Sequence, residues 1–155
     1  MRITRATTAH VPALVELLNR SPLLQRYGVT RPGSRRGLLA GLRRRETVLV
    51  AIERAEILGV AWVIITPALD RSAYLGLLLV AEGKQSRGIG SALIGHAERR
   101  ARALGSRHMV LLTTTTNRRA RAFYRRHGYR HVGNLPGFVR PGIGESLYVK
   151  SWPIH

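Results

Sequence analysis

An apolar, strand-like run from Leu75 to Val80 is joined to an amphipathic helical run beginning at Ser91 by the turn Gln85-Ser86-Arg87-Gly88-Ile89-Gly90. This junction demands a strand, a turn and a helix in that order. It also leaves unpaired backbone N–H groups and the positive end of a helix dipole at the turn, which suits a phosphate group. Gly88 and Gly90 lie two positions apart and let a ligand approach where any Cβ would stand in the way. The turn looks built for a phosphorylated ligand.

Three kinds of phosphate-binding turn begin this way, and the flanking residues separate them. A Walker loop needs Gly-Lys followed by Ser or Thr, but Gly83-Lys84 is followed by Gln85. A dinucleotide fingerprint needs a third small residue where Leu93 stands, and an acidic residue about twenty positions later that is missing. What remains is Gln-x-x-Gly-x-Gly. Further on, Asn117 ends a Thr-rich apolar run, His108 to Thr116, and is placed to cap a helix. Ala120, Phe123 and Tyr124 fall on one face of that helix, with Arg118, Arg119, Arg121, Arg125 and Arg126 on the others, and Gly128 stops it. The first motif resembles the acyl-CoA pyrophosphate loop of the GNAT superfamily of N-acetyltransferases. Asn-x-x-Ala-x-x-x-Tyr-x-x-x-Gly-Tyr, Asn117 to Tyr129, resembles that superfamily's second cofactor-binding motif, in the expected order and at the expected separation.

The rest of the chain agrees in element order. Met1 to Ala6 alternates as a short strand; Thr8 is placed to cap a helix with Val11, Leu14, Val15 and Leu18 on one face, ended by Ser21-Pro22. A second helix is predicted from about Ser34 to Arg45. Thr47 to Ile52 and Ile57 to Ile65 read as a hairpin, and Ser72 to Val80 as the next strand. Ile89, Leu93, Ala97, Ala101 and Leu104 form an apolar helical stripe. Met109 to Thr115 reads as a strand, Arg118 to His127 as a helix, and Tyr129 to Val132 and Ser146 to Trp152 as final strands. The order β, α, α, β, β, β, α, β, α, β, β matches the mixed α/β fold implied by the resemblance: a mostly antiparallel twisted sheet of about six to seven strands flanked by about four helices. No repeat or linker appears, so residues 1–155 are expected to form a single domain.

Composition narrows the chemistry. With no cysteine, a disulfide framework, a thiolate metal site and a cysteine acyl-enzyme are excluded. The six histidines form no metal signature, so no metal is expected. Neither a signal peptide nor the roughly 18 apolar residues of a membrane span is present, so a soluble cytoplasmic protein, monomer or homodimer, is the expectation. The net charge is +18, and all 26 basic residues except Lys84 and Lys150 are arginines. Such a field attracts nucleic acid, acidic protein and CoA phosphates alike, while arginines spread over solvated faces would explain it without any partner. Arg43-Arg44-Arg45 sits at the end of a predicted helix, where the dipole favours positive charge. Few aromatics are interleaved with the arginines, which argues against a platform for stacking single-stranded bases.

The resemblance implies acetyl-CoA as co-substrate and an amine acceptor, with nucleic acid possible but not favoured. It implies that the backbone of Leu78, Leu79 and Val80 pairs with the pantetheine arm and that an N–H near Leu78 polarises the thioester oxygen. Ser86, Arg87, Gly88, Ile89, Gly90 and Ser91, with the Gln85 side chain, would hold the pyrophosphate. Asn117 would bond the pantetheine or the splayed strand, and Tyr124 would protonate the leaving thiolate. Where several relatives carry a glutamate, this chain has Tyr74. The general base is therefore open among Tyr74, Glu82, Glu145, Tyr148 and water. Trp62 and Trp152 read as core or pocket wall. The leading reading is direct acetyl transfer to a primary amine of a small molecule or a protein N-terminus. The alternative is a non-catalytic CoA-sensing or nucleic-acid-binding module on the same fold.

Overall fold

In the computed structural model, which describes residues 1–153, strand β1 (Arg2–Arg5) leads into a single 3-10 turn at Thr8–His10. The cap is Thr7, one residue before the expected Thr8, and its N–H donates to His10 Nδ1 at 2.9 Å. Helix α1 (Val11–Asn19) buries Val11, Leu14, Val15 and Leu18, as their spacing requires. Ser21-Pro22 does more than end it. Ser21 Oγ accepts from Leu24 N at 3.3 Å and Pro22 takes the first position of a short additional helix, α2 (Pro22–Arg26), where its missing N–H has no cost. Helix α3 (Arg31–Arg43) starts three residues before the expected Ser34. Thr30 Oγ1 accepts from Gly33 N at 3.2 Å, and Pro32 is tolerated in the first turn.

Strands β2 (Thr47–Glu53) and β3 (Glu56–Ile65) form the predicted hairpin. Its two-residue turn needs positive φ at both positions, here supplied by Arg54 (φ 50°) and Ala55 (φ 65°) in place of the usual Asn-Gly. There follow β4 (Ala73–Val80), α4 (Ile89–Ala103), β5 (His108–Thr114), α5 (Arg118–Arg126), β6 (Arg130–Leu135) and β7 (Glu145–Ser151). The architecture is mixed α/β with a seven-stranded sheet in the order β1-β2-β3-β4-β5-β7-β6. The ladders of β1 with β2, β2 with β3, β5 with β7 and β6 with β7 are antiparallel; β4 and β5 are parallel, and their connection runs through α4. No helix among the described residues is long and apolar enough to cross a membrane.

By internal packing the chain falls into two compact units, Met1–Ile64 with Leu77–Arg100, and Ile65–Gly76 with the chain from Ala101 onward. The boundary runs through β4, between Gly76 and Leu77. In the first unit, α1 and Leu38 of α3 pack on Val48, Val50, Ile52 and Val60, with Trp62, Leu77 and Leu79 at the margin. In the second, Met109, Leu111 and Tyr148 are fully buried, Tyr129 donates its hydroxyl to Met109 Sδ at 3.2 Å, and Arg102 lies over the half-buried ring of Trp152. Leu104, expected on the α4 stripe, lies beyond the helix end and is exposed.

One residue of β3 decides where α4 begins. A Cβ on Gly59 would stand 2.9 Å from both the Leu79 carbonyl oxygen and Leu93 Cδ1, and 3.3 Å from Ile89 Cγ2. Only glycine lets the first turns of α4 rest this closely on the strand. Because one of the opposing atoms is backbone, the contact cannot be relieved by a side-chain rotation. We expect Gly59→Ala to lower stability by about 1–3 kcal/mol, the usual cost of overpacking a filled site, read as a fall in the urea midpoint at unchanged m-value.

Candidate active site

The turn between β4 and α4 has the backbone of an anion cradle. φ is +66° at Ser86, negative at Arg87 and +79° at Gly88, and this alternation in sign curls successive N–H groups towards one side. Gly88 stands immediately before α4, its carbonyl accepting from Ala92 N at 3.0 Å. It has no side chain to cap the N–H groups of Ile89, Gly90 and Ser91, and a Cβ built on it would meet nothing within 4 Å. Ser86, Arg87 and Gly88 are exposed, whereas Ile89 is buried and pins the turn to the core. These residues fit a pyrophosphate. Arg87 is held beside the turn by Glu53, with Nη2 to Oε2 at 3.6 Å. The pair is half-exposed, so exchanging this carboxylate for a phosphate has little cost.

Along β4 the surroundings change midway. The parallel ladder with β5 joins Ala73, Tyr74 and Leu75 to Met109, Val110 and Leu111. Gly76 is exposed, and Leu77, Leu78, Leu79 and Val80 are each only half-buried, although a purely interior strand of this composition would be buried throughout. On the β3 side the end of the strand stays anchored, Ala81 N donating to Leu58 O at 2.8 Å. Leu77–Val80 therefore offers backbone on the edge where the ladder with β5 has ended.

The second motif lies in the other unit. Asn117 Oδ1 accepts from Ala120 N at 3.1 Å and so caps α5, as its position predicts. Tyr124, seven residues later and on the same face, is buried, with ring centroids 5.8 Å from Tyr129 and 6.2 Å from Tyr148. Burial pushes the Tyr124 phenol far above its ordinary value, so the hydroxyl stays protonated throughout the physiological range. Arg121, assigned by spacing to the solvated face, is instead half-buried. Its Nε donates to Tyr148 Oη at 3.0 Å and its Nη1 to Thr115 O at 3.1 Å. The missed signal is position, since Arg121 lies three residues before Tyr124 and shares its stripe.

The base candidates separate on burial. Tyr148 has no exposed surface and its hydroxyl is engaged by Arg121. Glu145 and Tyr148 are both candidate bases, but their odd spacing on a regular strand puts them on opposite faces of β7. Burial, and then the charge of Glu145, raise the Tyr74 phenol above its ordinary value, which disfavours the phenolate needed of a base near neutrality. Glu145 itself is 3% exposed in the β5–β7 ladder. Glu82 is exposed and lines a groove of about 480 Å³ in the first unit, where Glu16, Glu56 and Glu82 are matched by Arg20, Arg54 and Lys84. Glu16 is moreover already paired with Arg31 at 2.8 Å.

The sequence model described as the acetyltransferase (GNAT) family matches residues 12–129, which include every motif residue above but stop before β6. The uncharacterized N-acetyltransferase YhfO of Bacillus subtilis (strain 168) is 29% identical over 133 residues, 83% of this chain and 89% of that protein. A blasticidin-S acetyltransferase of Streptomyces morookaense is 38% identical over 81 residues, 50% of this chain and 55% of that protein. Among solved structures, an aminoglycoside 6'-N-acetyltransferase complexed with coenzyme A superposes with a TM-score of 0.84 at 17% identity, covering 100% of this chain and 99% of that one.

Raised phenol pKa values carry a sign. The folded state holds Tyr124 and Tyr74 neutral where the unfolded chain ionises them, so their contribution is complete below about pH 10 and is lost as pH rises above it. We expect thermal midpoints measured from pH 8 to pH 11.5 to fall along the alkaline limb, and to fall less steeply in Tyr124→Phe. Equal slopes would show that Tyr124 is not shielded from solvent.

Proposed function

Because the chain belongs to the GNAT family of acetyltransferases, an N-acetyltransferase family with acetyl-CoA as co-substrate, we propose that it acetylates a primary amine of a small molecule or of a protein N-terminus by direct attack. The observation that carries the cofactor half of this reading is the turn at Ser86–Ser91, where φ alternates in sign through Ser86, Arg87 and Gly88 immediately before α4. Bound acetyl-CoA supplies the activated thioester. Gln85 to Ser91 hold the pyrophosphate, Leu78 to Val80 pair along the pantetheine arm, and Asn117, whose Oδ1 is used in capping, contributes to the arm through its amide NH₂. We take residues 1–155 as a single acetyltransferase domain. A non-catalytic module, the other reading of the sequence, rests on the net charge and on Tyr74 standing where several relatives carry a glutamate.

The chain's own groups divide the remaining work. The N–H near Leu78 bonds the thioester oxygen as negative charge develops there, a type of contact that contributes about 3 kcal/mol. Tyr124 donates its hydroxyl hydrogen to the leaving sulfur. A thiol has a pKa of about 8.5, and burial moves the phenol further above that than in water, so a hydrogen bond to the sulfur rather than a stable phenolate is the role that fits. With Tyr148 engaged and the Tyr74 phenol raised, the proton leaving the amine passes to water, Glu145 or Glu82.

Charge selects the acceptor class. The eight acidic residues are accounted for one by one: Glu16 with Arg31, Glu46 with Trp62, Glu53 with Arg87, Asp70 with Arg107, Glu145 buried, Glu98 on α4, and Glu56 and Glu82 in a groove with matching cations. None of these settings gives a polycation a net negative pocket. Small amino acids, anionic amines and the N-termini of neutral or acidic proteins are the favoured acceptors.

Two measurements check this reading. In a thiol-release assay Tyr124→Phe is expected to lose about 10²-fold or more in turnover with acetyl-CoA affinity nearly unchanged, while Gly88→Ala, forced into a left-handed conformation that costs about 1–2 kcal/mol, weakens acetyl-CoA about tenfold. Full turnover in Tyr124→Phe would remove that residue from the chemistry. In an acceptor screen, a polyamine emerging as the best substrate would overturn the charge argument.

A further inference from the structure

A second concave site lies in the first unit, away from the turn that holds the pyrophosphate. The end of β1 and the end of α3 enclose a recess of about 460 Å³ whose polar lining is Arg5, Thr7, Thr8, Arg45 and Glu46. Among the described residues neither Arg5 nor Arg45 lies within ion-pairing distance of a carboxylate. The one acid in the lining, Glu46, has its Oε1 engaged by Trp62 Nε1 at 3.0 Å. Two guanidinium groups and two hydroxyl-bearing residues line the hollow with this single carboxylate, a set with net positive charge and donors that suit phosphate.

The basic surface continues from the recess along α3. Its inner face carries Leu38 and Gly41, both buried, while Arg35, Arg36 and Arg43 are exposed on the outside; Arg36 and Arg43, seven apart, share a face. No acidic residue occurs between Arg31 and Arg43, and none of these three arginines has a carboxylate partner among the described residues. The helix dipole accounts for cations in the last turn only. It leaves Arg35 and Arg36, in the first half of the helix, and Arg5, on a strand, without a local reason. Arg45 stands just past the helix end at φ 59°, where glycine or asparagine is usual, so a guanidinium is presented there at a backbone cost. Among the described residues Arg31, Arg87 and Arg107 do meet acids, Arg107 with Asp70 at 2.6 Å.

We propose that the recess at Arg5 and Arg45, with the α3 face of Arg36 and Arg43, binds the phosphate backbone of duplex nucleic acid independently of acetyl transfer. No exposed aromatic lies on this face, so contact is with phosphates rather than stacked bases and is insensitive to base sequence. Because the surface shares no residue with the acetyl-CoA machinery, its occupancy and the catalytic reading stand or fall separately.

The test is fluorescence anisotropy with labelled RNA and DNA duplexes of about 20 base pairs over a salt series centred near 0.1 M. The quadruple variant R5Q/R36Q/R43Q/R45Q is compared with R118Q/R125Q/R126Q/R130Q, which removes the same charge from exposed positions of the other unit. The first is expected to lose at least tenfold in affinity, with the salt slope reduced by about 2–4, and the second to stay within about threefold of the parent. Both should keep acetyl transfer and the parental melting temperature. Equal losses in the two variants would mean diffuse attraction by the net charge and overturn the site, as would absence of duplex binding. Equal retention of labelled polyglutamate would assign the surface to acidic protein instead. Should the quadruple variant fail to fold, R36Q/R43Q, confined to the exposed face, keeps the comparison.

Discussion

The closeness of α4 to β3 at Gly59 is the contact on which the candidate cofactor site depends. With no Cβ there, Ile89 and Leu93 settle against the strand, and the first turn of α4 is held where the chain leaves β4. An anion cradle works only if its N–H groups are fixed before the ligand arrives, because each group ordered on binding would subtract from affinity. The buried Ile89 supplies that rigidity from within the turn itself, so exposed Ser86, Arg87 and Gly88 are carried on a fixed base.

In the other unit the organising feature is aromatic and cationic together. Tyr124, Tyr129 and Tyr148 pack edge to face or tilted at 5.8 and 6.2 Å, and Arg121 ties the Tyr148 hydroxyl to the backbone of Thr115. Each buried hydroxyl of this kind needs a partner, and the guanidinium provides one without introducing a carboxylate. Tyr124 is buried in this cluster, and burial favours its neutral form, which is the form a hydrogen-bond donor to sulfur requires. Acids are scarce in the whole chain, and the outward face of α3 has none.

Most of the architecture was legible because its signals are local. The stripe Val11, Leu14, Val15, Leu18, the cap at Asn117 and the β-branched runs around Arg54-Ala55 each act within a few residues, and each element formed within a few positions of its expected ends. The misreadings share one cause. Ser21-Pro22 reads as a stop, yet the same pair is a good start, and only the hydrogen bond from Leu24 shows that it serves as both. Arg121 reads as solvated because arginine usually is, yet a phenol twenty-seven residues away takes it inward. Leu104 fits the stripe by spacing but falls past the helix end at Ala103.

From the sequence alone came the two motifs, their order, the absence of thiol chemistry and the excess of positive charge, since each depends on residue type and short spacing. Tertiary structure decided what depends on distant partners: that Gly59 sets the seat of α4, that Tyr148 is fully buried and the Tyr74 phenol raised, and that Glu46 bonds Trp62. The physical reason is range. Capping and periodicity act over one or two turns of chain, whereas burial, proton affinity and charge pairing are set by whatever the fold brings alongside.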